Sequence, residues 1–358
     1  MTDSTATVGV GVIGLGFMGR THIAAYDAAH VAGYDCKLVA VCDAQADRLG
    51  DDDAESGGTA WYSRPWKSED DGPQSPRPGV PDRATQSLGD PHSVQTYTDA
   101  DRLLADDDVT LVSICTPTDT HVDLAIRALR AGKHVLVEKP VAIRSGDVQR
   151  LADEAAGAQT LCMPAMCMRF WPGWTWLKER IEQGTYGKVQ RAVFQRLGAM
   201  PDWSREFYGD ATRSGGALMD LHIHDADFVR WCFGEPAGVA STGSINHVTT
   251  MYHYPAGPSH VVAEGGWRPE PGFEFLMRYT VAFDTATADF DLSRDPQLLI
   301  THEGQTSPVS LDALTGYDHQ VRHLVEAITT GRRDLRVTLA DAVAVTRLLE
   351  DEARSVGR

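Results

Sequence analysis

Positive charge is short in this 358-residue sequence: 33 Lys and Arg stand against 50 Asp and Glu, for a net charge of −17. A phosphate-binding surface needs a positive field, so neither nucleic acid nor an anionic membrane is an expected partner. The excess is mostly aspartate, with lysine scarce beside arginine, a bias of composition found in salt-adapted and high-GC sources. Long apolar runs are missing too, and none suits a bilayer crossing. Met1 to Thr7 is short and polar, with neither a basic start nor an apolar run; no export signal is read, and the cytoplasm is the expected compartment. Cysteines number 6, scattered and without a Cys-x-x-Cys pair, several of them in apolar runs such as Leu111-Val112-Ser113-Ile114-Cys115. That pattern reads as buried reduced thiols and disfavours a disulfide framework or a zinc site.

What is present is ordinary for a globular chain: 42% hydrophobic and 23% charged residues, at a length that suits two domains. Val8 to Ile13 reads as a buried strand, Arg20 to His30 as a helix and Lys37 to Val41 as a second strand, the opening of a parallel α/β sheet. From Asp51 to Ser93 the pattern collapses into Asp, Gly, Pro and Ser around Trp61, Tyr62 and Trp66, as expected of an irregular surface insertion. Strand Thr110 to Cys115, helix His121 to Ala131, strand Val135 to Val137, helix Ser145 to Ala156 and strand Gln159 to Met163 continue the sheet. Past about Met166 a helix near Trp174 to Gln183 precedes closely spaced strands, Val189 to Leu197, Val261 to Trp267 and Phe275 to Phe283, which suggest an antiparallel sheet. Tyr317 to Thr330 and Leu339 to Ala353 read as helices. The expectation is an α/β protein: a Rossmann domain, a doubly wound parallel sheet over 1–165, then an α/β domain with a mainly antiparallel sheet over 166–358.

Gly14-Leu15-Gly16-Phe17-Met18-Gly19 follows the first strand directly and opens the first helix. Gly-x-Gly-x-x-Gly alone is weak in a chain with 33 glycines, but this context is that of a dinucleotide-binding turn. Gly14 permits the turn, Gly16 lets amides approach a pyrophosphate, and Gly19 lets helix and strand pack closely. Asp43, at the end of the second strand, would accept hydrogen bonds from the adenosine ribose and repel a 2′-phosphate. Ala44 follows it with no basic group alongside, which favours NAD over NADP.

Two further motifs carry chemistry. Glu138-Lys139-Pro140 ends a later strand, at the edge of the sheet where ligands bind. Further on, Asp220, His222 and His224 lie in a segment whose Leu221, Phe228 and Cys232 recur at helical spacing. On a regular helix Asp220 and His224 are i and i+4, so the carboxylate would orient the imidazole as a base, while His222 falls on another face. A metal reading of these three is the alternative, but a regular helix does not bring all three together, and no metal is assigned.

Taken together these residues resemble the Gfo/Idh/MocA oxidoreductase family. The likeness runs over nearly the whole chain. It includes the glycine turn, Thr116-Pro117 with His121, Gly132-Lys133-His134 leading to Glu138-Lys139-Pro140, Met168-Arg169-Phe170-Trp171-Pro172, Gly184 to Val189, the Asp220/His224 segment, Trp267 and Gly316-Tyr317. The Asp-Leu-His-Ile-His-Asp run is closest to inositol-dehydrogenase-like members. The resemblance implies an active site between the domains with Lys139, Asp220 and His224 as its catalytic set. It also implies a homodimer or homotetramer built through the open second sheet. Many relatives carry a glycine or small residue where His222 stands, so His222 offers a substrate an extra hydrogen-bonding group.

The expected reaction is NAD-dependent oxidation of a secondary hydroxyl of a sugar, inositol or related polyol. His224 would be the base, oriented by Asp220, and Lys139 would stabilise the alkoxide. Gly14, Gly16, Phe17, Met18, Gly19, Asp43, Thr116, Pro117, His121, Glu138 and Lys139 are expected around the cofactor. Lys139, Arg169, Trp171, His222 and His224, and more weakly Trp203, are expected around the substrate. The rival readings are a redox-silent dinucleotide-binding sensor and a glycosidase using bound NAD in an oxidation–elimination cycle.

Overall fold

The computed structural model describes residues 7–49, 93–201, 205–270 and 272–356. The expected insertion, apart from Ser93, lies outside the described residues, as does Trp203. Six parallel strands form the first sheet: β1 (Val8–Ile13), β2 (Cys36–Cys42), β3 (Gln95–Tyr97), β4 (Leu111–Ile114), β5 (His134–Val137) and β6 (Cys162–Pro164). Their order is β3-β2-β1-β4-β5-β6. Helices α1 (Phe17–Val31), α2 (Ala100–Leu104), α3 (Thr118–Arg130) and α4 (Ser145–Gly157) connect them. Every residue of β1 and β4 is buried, which is why both read as unbroken apolar runs rather than alternating ones. The order of the strands reverses between β1 and β4, and the carboxyl ends there open a crevice.

Helix α5 (Pro172–Gln183) leads into β7 (Val189–Ala199). Short helices α6 (Arg205–Gly209) and α7 (Ala211–Ser214) and a five-residue π-turn (Leu218–His222) then run into α8 (Ile223–Phe233). The remaining strands are β8 (Gly238–Ser244), β9 (His247–His253), β10 (His260–Arg268), β11 (Leu276–Phe283), β12 (Ala286–Asp291), β13 (Leu298–His302) and β14 (Gln305–Val309). With β7 they make an eight-stranded sheet, ordered β14-β13-β12-β11-β7-β10-β9-β8 and antiparallel except where β10 runs parallel to β7. The sequence pattern marked only β7, β10 and β11, the strands at its centre. The outer strands β8 and β14 are mostly exposed, and their small and polar residues, Pro308 included, carry no apolar signature.

One face of this sheet is packed. Trp174 from α5 is fully buried, with its ring 4.6 Å from Phe290, 5.1 Å from Tyr279 and 6.3 Å from Phe228. The other face carries a polar lattice, in which Gln195 donates to Glu264 and Arg278 donates to Gln195. The last two helices, α9 (Gly316–Thr329) and α10 (Leu339–Val356), return to the first domain, where α9 packs on α1 and α10 on α4. All six cysteines are free; burial pushes the Cys36 thiol up to about 11 and those of Cys42, Cys162 and Cys167 up to about 12. Among the described residues no helix is long and apolar enough to cross a membrane.

Candidate active site

A cavity of about 630 Å³ runs from the glycine turn, past the ends of β4 and β5, to the π-turn and β11. Its two ends are built differently.

At the first end the glycine requirements are steric. Gly14 has φ +91°, and a Cβ there would lie 2.7 Å from the Cys115 carbonyl oxygen. A Cβ at Gly19 would stand 1.9 Å from the Gly14 carbonyl, so only glycine lets α1 sit this close to the turn. Gly16 faces open space, the cradle a pyrophosphate needs above the N-terminus of α1. Phe17 and Met18 line the same cavity. Asp43 ties the turn to β2: its Oδ2 accepts from the Leu15 amide at 2.8 Å and its Oδ1 from the Gln45 amide at 2.9 Å. The carboxylate also has a basic neighbour, since Arg48 Nη1 donates to Oδ2 at 3.3 Å. Arg20 belongs to the same cluster, its pKa pushed down by burial and the Arg48 charge and up by Asp43. The expectation of no basic group alongside Asp43 is therefore corrected. The 3₁₀ turn Ala46–Arg48 folds Arg48 back onto it, which inspection of Ala44 alone does not reveal.

Thr116 and Pro117 follow β4, and His121 fastens this segment to the next: Nε2 lies 2.7 Å from the Thr116 carbonyl and Nδ1 2.9 Å from the Pro140 carbonyl. All three line the cavity, but both His121 nitrogens are engaged with backbone, so the ring shapes the floor. Glu138 is likewise held. Its Oε1 accepts from His22 Nε2 at 2.9 Å and its Oε2 from the Lys139 amide at 3.0 Å. His22 is fully buried, and although burial opposes its charge, Cys115 and Glu138 raise its pKa to about 10. Sequence reading passed over His22, a histidine on the inner face of the glycine-turn helix.

At the second end Lys139, Asp220 and His224 come together around the cavity. Lys139 Nζ donates to Asp220 Oδ1 at 3.0 Å and to the Asp220 carbonyl at 2.8 Å. Trp267 Nε1 donates to Asp220 Oδ2 at 3.4 Å. The expected Asp220–His224 hydrogen bond is absent among the described residues, and His224 Nδ1 is buried without a partner. The backbone between them is a π-turn, not a regular α-helix, so i, i+4 spacing no longer joins the two side chains. His224 is 8% exposed, and burial together with the Lys139 and Arg196 charges holds its pKa well below the usual imidazole range. The ring is neutral at ordinary pH.

Two residues expected at the substrate are elsewhere. His222 is fully buried, with Nε2 donating to Glu352 Oε2 at 2.7 Å, beneath the π-turn and away from the cavity. Arg169 is 2% exposed and locked in a bidentate pair with Asp227 at 2.7 and 2.8 Å. It is a structural cation, as buried arginines commonly are. Trp171 does line the cavity, edge-on to Tyr317 at 5.8 Å. Arg196, Tyr208, Phe275 and Met277 line it too and were not anticipated; they lie on elements whose role only the second sheet defines. Since Asp220 turns to Lys139 and His222 to Glu352, the alternative metal set of Asp220, His222 and His224 has diverging side chains.

A parallel sheet in this order, with a glycine turn at its switch point, defines a dinucleotide-binding Rossmann fold. Residues 81–166 match the family model described as the oxidoreductase family, NAD-binding Rossmann fold, and residues 174–295 match the Gfo/Idh/MocA C-terminal domain. The chain belongs to the Gfo/Idh/MocA oxidoreductase family. It is similar to the myo-inositol 2-dehydrogenase of Thermotoga maritima, 35% identical over 144 residues, covering 39% of this chain and 41% of that protein. It is also similar to the scyllo-inositol 2-dehydrogenase (NAD(+)) of Bacillus subtilis, 32% identical over 155 residues, 42% of this chain and 44% of that protein. The chain thus spans under half the length of these two relatives. A levoglucosan dehydrogenase solved with NADH and levoglucosan shares the fold, with a TM-score of 0.77 at 19% identity over 98% of this chain and 97% of that one.

Proposed function

We propose that this protein is an NAD-dependent dehydrogenase that oxidises a secondary hydroxyl of a sugar, inositol or related polyol. One observation carries the reading: a neutral, unpartnered imidazole, His224, and a charged Lys139–Asp220 pair line the same cavity as the glycine turn. The cofactor supplies the hydride acceptor when bound, held by the turn, by Asp43, by the Thr116–His121 segment and by the backbone around Glu138.

Alcohol oxidation then needs a proton acceptor and positive charge for the developing alkoxide. His224 takes the hydroxyl proton; it is already deprotonated because burial and two nearby cations disfavour its charged form. Lys139 donates to the alkoxide oxygen. Asp220 positions Lys139 rather than His224, accepting from Nζ through both carboxylate and carbonyl. Trp171 and Tyr208 supply aromatic surface on which a ring-shaped substrate would rest. The intact Lys139–His224 set favours turnover over a redox-silent sensor. A homodimer or homotetramer would cover the polar outer face of the eight-stranded sheet.

A screen of sugars and polyols for NADH formation tests the reading. At least one is expected to be oxidised, with the His224→Ala variant slower by about 10²–10⁴ and its NAD binding intact. Unchanged turnover in that variant would sink the assignment of the base.

A further inference from the structure

The π-turn that carries Asp220 and ends just before His224 is gripped from below by the last helix of the chain. Glu352, on α10, is fully buried and takes three hydrogen bonds: Thr250 Oγ1 at 2.8 Å, Tyr252 OH at 2.9 Å and His222 Nε2 at 2.7 Å. Two of these donors belong to β9 and the third to the π-turn itself. A buried carboxylate with three donors is a fixed anchor, because any displacement strands a charge. His222 is pressed from the other side as well. A Cβ on Gly265 of β10 would lie 2.6 Å from the His222 Cβ, so the turn rests on bare strand backbone. Two residues earlier on α10, Glu350 accepts from the amide and hydroxyl of Ser145 at 2.8 and 3.0 Å. Ser145 opens α4, shortly after Lys139. The same helix therefore holds the segments bearing both members of the Lys139–Asp220 pair, while neither glutamate lines the cavity.

A π-turn is an uncommon conformation that persists where its surroundings hold it. We infer that Glu352 is a positioning residue of the reaction: through His222 it holds the π-turn that directs Asp220 to Lys139 and leaves His224 as a free base. The inference rests on the proposed dehydrogenase reading for its kinetic part only. If the grip is released, the turn relaxes toward a regular helix, in which Asp220 and His224 again meet at i, i+4. The groups facing His224 are Lys139 and Arg196, the latter paired with Asp225; adding the Asp220 carboxylate to that set favours the charged imidazole.

The test uses the full chain and three variants, Glu352→Leu, Glu352→Gln and Gly265→Ala. Four quantities are measured: kcat, the NADH dissociation constant, the melting temperature and the pH titration of the His224 ring by NMR. Glu352→Leu should lower kcat by about tenfold or more, leave NADH affinity within about threefold, and raise the His224 titration by about one unit or more. Glu352→Gln, which still offers an oxygen to His222, should keep kcat within about threefold. Gly265→Ala disturbs the same turn without touching a charge, and should reproduce the Glu352→Leu signature even if that variant does not fold. A folded Glu352→Leu or Gly265→Ala protein with unshifted His224 titration and wild-type kcat overturns the inference. A loss that only follows a fall in melting temperature and NADH affinity, with His224 unmoved, overturns it too. If the wild-type protein oxidises no polyol, the reaction reading fails, and the His224 titration still decides the role of Glu352.

Discussion

The two ends of the cavity are built by opposite means. The cofactor end is mostly local: Gly14, Gly16, Gly19 and Asp43 fall within one strand–helix–strand unit, where the Gly14 carbonyl excludes a Cβ at Gly19 and Asp43 accepts from the Leu15 amide, while Gly14 itself abuts Cys115 beyond β4. The reacting end is assembled from afar, with Lys139 on the first domain, Asp220 and His224 around an irregular helix, and Glu352 behind them on the last helix. A local unit depends on steric fit, so single atoms damage it. A long-range assembly depends on buried charges being paired, so damage there should change chemistry and spare cofactor binding.

The largest effect that separates the two ends should come from Lys139→Met. Losing the cation beside the alkoxide, and leaving Asp220 without its partner, should cut kcat by about 10³ or more, with NADH affinity within about threefold in a fluorescence titration. Gly19→Ala should do the reverse. Its Cβ cannot fit against the Gly14 carbonyl, so NADH should bind more weakly by about tenfold or more in the same titration.

A smaller effect concerns pH. His224 acts as the neutral base, and its pKa is held well below the ordinary value by burial and by the positive charges of Lys139 and Arg196. Activity is lost only as pH falls through that lowered value, so the acid limb of kcat/KM should lie well below about 6.5. An acid limb at or above the ordinary histidine value would indicate that Asp220 pairs with His224 after all. The smallest effect lies beside Asp43. Arg48→Ala removes a cation paired with Asp43, and should raise the KM for NADP by about fivefold while changing that for NAD by less than about twofold. Equal changes for both cofactors would place Arg48 outside cofactor discrimination.

The same contrast explains what could be read in advance. The parallel domain was legible because β1 and β4 are buried on both faces and signal it with continuous apolar runs. The central strands β7, β10 and β11 were legible for their length and apolar content. Exposed β8 and β14 were not, since Gly238–Ser244 and Gln305–Val309 are mostly exposed and each sets only an isolated valine, Val239 or Val309, against the core. Within the site, the glycines and Asp43 follow from spacing along the chain, and so does the position of Glu138-Lys139-Pro140. The pairing of Asp220 did not, because i, i+4 reasoning assumes a regular helix and the turn is π. The fate of His222 depends on a carboxylate 130 residues away, and that of Arg169 on Asp227 and Asp341, with no local pattern to announce either. Arg48 was missed for a shorter-range reason, a 3₁₀ turn that brings a residue back across five positions.

The separation of cofactor binding from chemistry is tested most directly by the NADH dissociation constant of the Lys139→Met, His224→Ala double variant. With the glycine turn and Asp43 untouched, it should stay within about threefold of the wild-type value in a protein that no longer oxidises any substrate. A weakening of about tenfold or more, in a protein that still melts cooperatively, would contradict it and make Lys139 and His224 part of the cofactor site rather than of the reaction.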